Sequence, residues 1–97
     1  MPTYITLMQW TQQGIQSVKD APARLDAAKQ LVKSLGGEIK GFYLVMGEYD
    51  FVLISEAPND EVVAKAAILT GMQGNVRTKT MRAFTEEEYR KIVAGLP

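Results

Sequence analysis

The chain contains no cysteine and no histidine. Those two absences exclude disulfide bridges, thiol nucleophiles, Cys/His zinc sites, histidine-ligated haem and every imidazole acid–base mechanism. Oxygen ligands for Mg²⁺ or Ca²⁺ are left, but no dense acidic loop of the kind a dedicated site needs is present, and no cofactor is expected. Net charge is missing as well: eleven basic and eleven acidic side chains cancel. A non-specific nucleic-acid binder depends on a basic surplus that releases counterions from phosphates, so nucleic acid is not an expected partner. Arg77, Lys79 and Arg82 form only a short basic strip, the usual mark of a solvated or ligand-facing row. Long apolar runs are lacking too. The longest, Phe42 to Met46, is five residues, against the ~20 of a membrane span. Met1-Pro2-Thr3 opens no basic segment followed by an apolar stretch. No membrane partner is expected, and the expected address is cytoplasmic.

What is present reads as one globular domain over residues 1–97, a length that buries one core with little to spare. Tyr4 to Trp10 is rich in β-branched and aromatic residues and predicts a first strand. Thr11 is a plausible N-cap for a short helical turn through Gly14, Ile15 and Val18. Pro22 stands near the start of a second helical stretch, where its missing N–H costs little. Leu25, Ala28, Leu31, Val32 and Leu35 follow at helical spacing, and Gly36-Gly37 ends the run. Glu38 to Met46 and Tyr49 to Ser55 predict a hairpin about a tight turn at Gly47-Glu48, with Ile39, Tyr43 and Val45 sharing one face of its first strand. Asn59 or Asp60 caps a second helix with an apolar stripe from Val62 to Leu69, closed by Gly71 and Gly74. Asn75 to Phe84 is a fourth strand, and Thr85-Glu86-Glu87-Glu88 opens a C-terminal helix with a capping box. The order β-α-β-β-α-β is that of an α+β, ferredoxin-like fold, an antiparallel sheet with both helices on one face.

Both faces of that sheet call for cover. If Ile5, Leu7, Val52 and Ile54 face the helices, then Tyr4, Thr6, Met8 and Trp10 share the other face with Tyr49, Phe51 and Leu53. That second set is too apolar to stay wet and carries polar groups that need partners. Sheet-to-sheet pairing with a second copy, closing a barrel around a cavity, satisfies both demands. Trp10 and Tyr43 also fit plain core or interface packing. Tyr49 and Asp50 fit either a site or a structural turn, in which Asp50 bonds nearby backbone N–H groups. Arg77, flanked by Asn75 and Thr78, either offers charge to an anionic ligand or is held by Asp50 or Glu56, because a guanidinium inside a strand needs a partner.

Tyr4-Ile5-Thr6-Leu7, Trp10-Thr11 with Gly14-Ile15, Val18-Lys19-Asp20 with Arg24, Gly47-Glu48-Tyr49-Asp50, and Gly74 to Thr78 with Ala83-Phe84 together resemble the GYD domain family along the whole chain. The Gly-x-Tyr-Asp form here is a looser version of the family's tripeptide. The resemblance implies a bacterial, ferredoxin-like protein and a homodimer, or a higher oligomer of dimers, of dimeric α/β-barrel type, and it supplies no activity. Three readings stay open. One is a binding or sensing domain with a pocket at the dimeric sheet face, where Thr6, Trp10, Tyr43, Tyr49, Asp50, Asn75 and Thr78 are candidate contacts and Arg77 or Lys19 anchors a small anionic ligand. Another is a cofactor-independent enzyme using Asp50, Glu56 or a lysine as base beside Tyr49 and Arg77. The third is a self-associating module without a ligand.

Overall fold

The computed structural model describes all 97 residues. Strand β1 (Thr3–Trp10) leads through a short helix α1 (Gln12–Gln16) and a 3₁₀ turn (Val18–Asp20) into α2 (Ala21–Ser34). Strands β2 (Glu38–Leu44) and β3 (Phe51–Glu56) follow, then α3 (Asp60–Met72), β4 (Val76–Ala83) and α4 (Glu86–Ala94). All strands are antiparallel in the order β2-β3-β1-β4, so the two halves of the chain interleave and β2 and β4 form the edges. The helix boundaries follow local chemistry. Thr11 and Asn59 accept the free N–H groups of Gly14 and Val62, Pro22 occupies the first turn of α2, and Gly36, at φ 91°, turns the chain out of that helix in a conformation that favours glycine.

The hairpin departs from expectation. Its strands stop at Leu44 and start at Phe51, leaving a six-residue connection instead of a tight turn. Asp50 closes the base of this connection: Val45 N–H donates to Asp50 O, and Asp50 N–H donates to Met8 O of β1, each at 2.9 Å. A β-bulge between Ile39 and Gly41 shifts the alternation of β2. Ile39 therefore stands with Phe42 toward the helices, and Tyr43 lies across the sheet, its ring over Gly41.

The two faces of the sheet are the reverse of those the sequence favours. Tyr4, Thr6, Met8 and Trp10, with Phe51, Leu53 and Ser55, face α2 and α3. Ile5, Leu7, Val52 and Ile54 form the centre of the uncovered face. Alternation fixes which residues travel together, not which set turns inward, and here the inner side gives the Tyr4 and Thr6 hydroxyls partners while the Trp10 indole N–H has none. Tyr4 is buried at 3% exposure and its hydroxyl donates to Asp60 at the start of α3. That bond holds the Tyr4 phenol above its ordinary pKa. Thr6 and Thr80 share a hydrogen bond of 3.1 Å. An aliphatic set needs no such partners and can wait for cover.

Helix α4 stands apart. The molecule measures 52 × 31 × 17 Å, and α4 makes no extended contact with the other elements. Arg82 fixes its departure: the guanidinium lies 4.4 Å from the Phe84 ring centroid, donates to Thr3 O at 3.3 Å and stands 4.0 Å from Glu88. Thr85 and Glu88 complete the capping box. Hydrogen bonding to the Thr85 backbone pulls the Glu88 carboxyl below its ordinary value of 4.5. A depressed carboxyl stabilises the folded helix above its unfolded value, and that contribution is lost as pH falls through the lower folded one. Acidification below about 4.5 is thus expected to fray the first turn of α4, visible as loss of protection and a chemical-shift change at the Thr85 amide. Glu88→Gln should lack the transition. An identical titration in both proteins would assign it to Glu86 and Glu87 instead.

Candidate binding surfaces

Three surfaces are left open by this packing. The first is the uncovered sheet face. Ile5 is paired with Ile54 and Met81 on its two sides, and Leu7 with Val52 and Lys79, which makes a contiguous aliphatic block flanked by Tyr43, Gln9 and Arg77. The second is the stripe of Tyr89, Ile92 and Val93 on α4, continued by Leu96 just past its end; these are 60%, 49%, 46% and 65% exposed. Its opposite side is neutralised by Glu86–Arg90 and Glu87–Lys91 pairs.

The third lies between the sheet and the helices. Only six of 97 residues are buried, because α2 and α3 stand off the sheet and enclose a cleft of about 840 Å³ in which fifteen of the twenty lining residues are hydrophobic. Phe51 anchors its floor, edge-on to Trp10 at 4.5 Å and tilted against Phe42 at 5.2 Å. The indole Nε1 of Trp10 is sealed from water with no acceptor, a state that costs about 1–3 kcal/mol. Arg24 of α2 borders the same cleft. It donates to Ser17 O, Ser17 Oγ and Gly14 O at 3.1–3.2 Å, bonds that are themselves part-buried. All three acceptors are neutral oxygens, and no ion pair involves Arg24.

The candidate residues do not form one site. Trp10 and Asn75 border the large cleft, and Thr6 and Thr78 a smaller hollow beside it. Tyr43, 59% exposed, and Arg77 belong to the opposite face. Arg77 is exposed and has neither a hydrogen bond nor an ion pair, so of its two alternatives the salt bridge with Asp50 or Glu56 is absent, and the guanidinium is not desolvated on the single chain. Lys19 is exposed on the 3₁₀ turn, and Tyr49 is half-buried with no hydrogen bond from its hydroxyl. Asp50 serves the backbone: its carboxylate accepts the Trp10 N–H at 2.9 Å. The basic strip divides, Arg77 and Lys79 facing outward on the open side while Arg82 clamps the root of α4.

The motif residues meet instead as a structural latch at one end of the sheet. Thr11 accepts the Gly14 N–H at 3.0 Å and donates to Gly74 O at 2.6 Å, and its own N–H reaches Asn75 O at 3.1 Å. Gln13 bridges Gln73 O and Asn75 Oδ1, and Gln9 holds Glu48 O at 2.7 Å. Two features escape a reading of the sequence. Asp20 lies four residues before Arg24, a spacing that suggests a surface pair, yet the two do not pair. The apolar spacing of Tyr89, Ile92, Val93 and Leu96 is legible as a stripe, without a sign that nothing on the chain covers it.

The chain belongs to the GYD domain family, whose model matches residues 4–93. A relative from Thermus thermophilus, named as a glutamine synthetase and cystathionine beta-lyase binding protein, is 34% identical over 85 residues, 87% of this chain and 90% of the relative. Among solved structures, a protein of Thermus thermophilus superposes with a TM-score of 0.54 at 22% identity, over 88% of this chain and 95% of the other. The leucine response regulatory protein of Mycobacterium tuberculosis gives 0.56 at 15% identity, over 87% of this chain and 51% of that protein. Both establish likeness of the ferredoxin-like α+β fold alone. No helix of the chain is long and apolar enough to cross a membrane, and no three acidic side chains come together as a metal centre.

Proposed function

We propose that this chain is a binding and regulatory domain that pairs with a second copy through its open sheet face and docks on metabolic enzymes. The observation that carries the reading is the aliphatic block of Ile5, Leu7, Val52 and Ile54, left uncovered on a chain too small to bury it. Two such faces stack about 10 Å apart, as in a dimeric α/β barrel. The pairing gives a two-fold dimer with an α4 stripe on each copy still free. The Thermus relative supports the second half of the proposal. Since 90% of it aligns with this chain, it has almost nothing outside the shared domain with which to hold glutamine synthetase or cystathionine β-lyase. Tyr43 and Arg77 stand beside the pairing face, where Arg77 would meet a carboxylate of the mate, a docked enzyme or a small anion.

The test is direct. Sedimentation at tens of micromolar should give a dimer, and immobilised protein should capture purified glutamine synthetase or cystathionine β-lyase from its own organism. A clean monomer removes the pairing, and failure to capture either enzyme removes the extension from the relative.

A further inference from the structure

We infer that the cleft between the sheet and helices α2 and α3 is a ligand site for a small amphipathic carboxylate, with its apolar body on Trp10, Phe42 and Phe51 and its anionic group at Arg24. This goes beyond the protein-docking proposal and does not rest on it, since the cleft lies on the other side of the sheet.

Two observations converge. The first is capacity: about 840 Å³ falls within the range of small-molecule pockets, and a mostly apolar wall with a few placed polar groups is their usual lining. The second is charge. Arg82, which packs against two aromatic rings, has Glu88 as well as two carbonyls for its guanidinium. Arg24 has only neutral oxygens, and its three hydrogen bonds use part of a five-donor fork. A guanidinium held in place at a cleft wall by backbone carbonyls, with donors to spare and no counter-charge, is prepared for a planar anion. Collapse of the helices onto the sheet would fill the apolar volume but would leave Arg24 without a counter-charge in a drier place. An occupant with an acidic head answers both.

Trp10 is the only tryptophan, so its emission reports on the cleft directly. Decanoate is the probe, and 1-decanol its uncharged control. Titration of the full chain with decanoate should give a saturable change in Trp10 emission. Arg24→Met should weaken decanoate by roughly tenfold or more, the loss of one charge-assisted contact, and leave 1-decanol unchanged; Arg24→Lys should retain most of the affinity. Because Arg24 also holds Ser17 and Gly14, Arg24→Met has a structural cost, and salt dependence provides the second measurement: decanoate should weaken with ionic strength on the unaltered protein while 1-decanol does not. No saturable emission change overturns the site. Decanoate binding that is indifferent to salt on the unaltered protein, or undiminished in Arg24→Met, overturns the role of Arg24 and with it the carboxylate assignment. Enzyme capture by the unaltered protein is read separately, so either proposal can fail alone.

Discussion

Gly14→Ala is expected to lower the unfolding free energy by about 3 kcal/mol, mainly through overpacking. An alanine Cβ at this position would stand 1.9 Å from the carbonyl oxygen of Asn75 and 2.8 Å from its carbon. Those are backbone atoms, unable to move aside by a rotamer change. To relieve the clash, α1 must lift from the start of β4, which loosens the Thr11 N–H bond to Asn75 O and the Thr11 bond to Gly74 O. Overpacking costs about 1–3 kcal/mol, and two weakened hydrogen bonds add about 1 kcal/mol each. Alanine returns up to about 1 kcal/mol through its helical preference over glycine, so the steric term wins. For a domain of this size the melting temperature should fall by roughly 12–20 °C. Gly71→Ala is the control. It too is a helical glycine, but nothing lies within 4 Å of its added Cβ, and helical preference alone should leave it neutral or slightly stabilised. Equal melting temperatures for the two variants would mean that α1 does not hold this position in solution.

The same latch shows why some features are readable from sequence and others are not. Element order, the Thr11, Asn59 and Thr85 caps and the terminating glycines are set by neighbours within a few residues, and the sequence displays them directly. The face of the sheet that meets the helices is set by contacts far apart in the chain. Tyr4 finds Asp60, and Thr6 finds Thr80, and no local pattern announces either. Two sets of alternating side chains, both largely apolar, look equally fit to be core, so composition alone favours the aliphatic set for the inner face. The bulge beside Lys40 has the same effect on Ile39 within β2. Asp50 illustrates the matching limit for sites. Its motif marks it as special, but only its bond to the Trp10 backbone tells a latch from a ligand contact. Arg24 stands out in sequence only as part of the family motif, with Asp20 four residues before it; its lack of a counter-charge exists only in three dimensions.

Ile5→Lys is expected to convert the proposed dimer into a monomer. Ile5 lies in an interior strand with Ile54 and Met81 as its cross-strand neighbours, so a lysine there has no carboxylate beside it. On a single chain the residue is half-buried and the long stem can carry its ammonium to water, so the fold should lose no more than about 1 kcal/mol, mostly through strand preference. In a two-fold pair the same substitution enters twice, once from each copy, and two like charges are pressed into an aliphatic layer without partners. At about 2 kcal/mol or more for each, association should weaken by roughly a thousandfold. Sedimentation equilibrium gives the dissociation constant, and thermal unfolding at fixed concentration separates loss of pairing from loss of fold. Ile92→Lys on α4 is the comparison: it should leave the dimer intact and reduce enzyme capture. Should Ile92→Lys dissociate the dimer and Ile5→Lys leave it whole, the assignments of the two surfaces would be exchanged, with α4 holding the mate and the sheet face left for the enzyme.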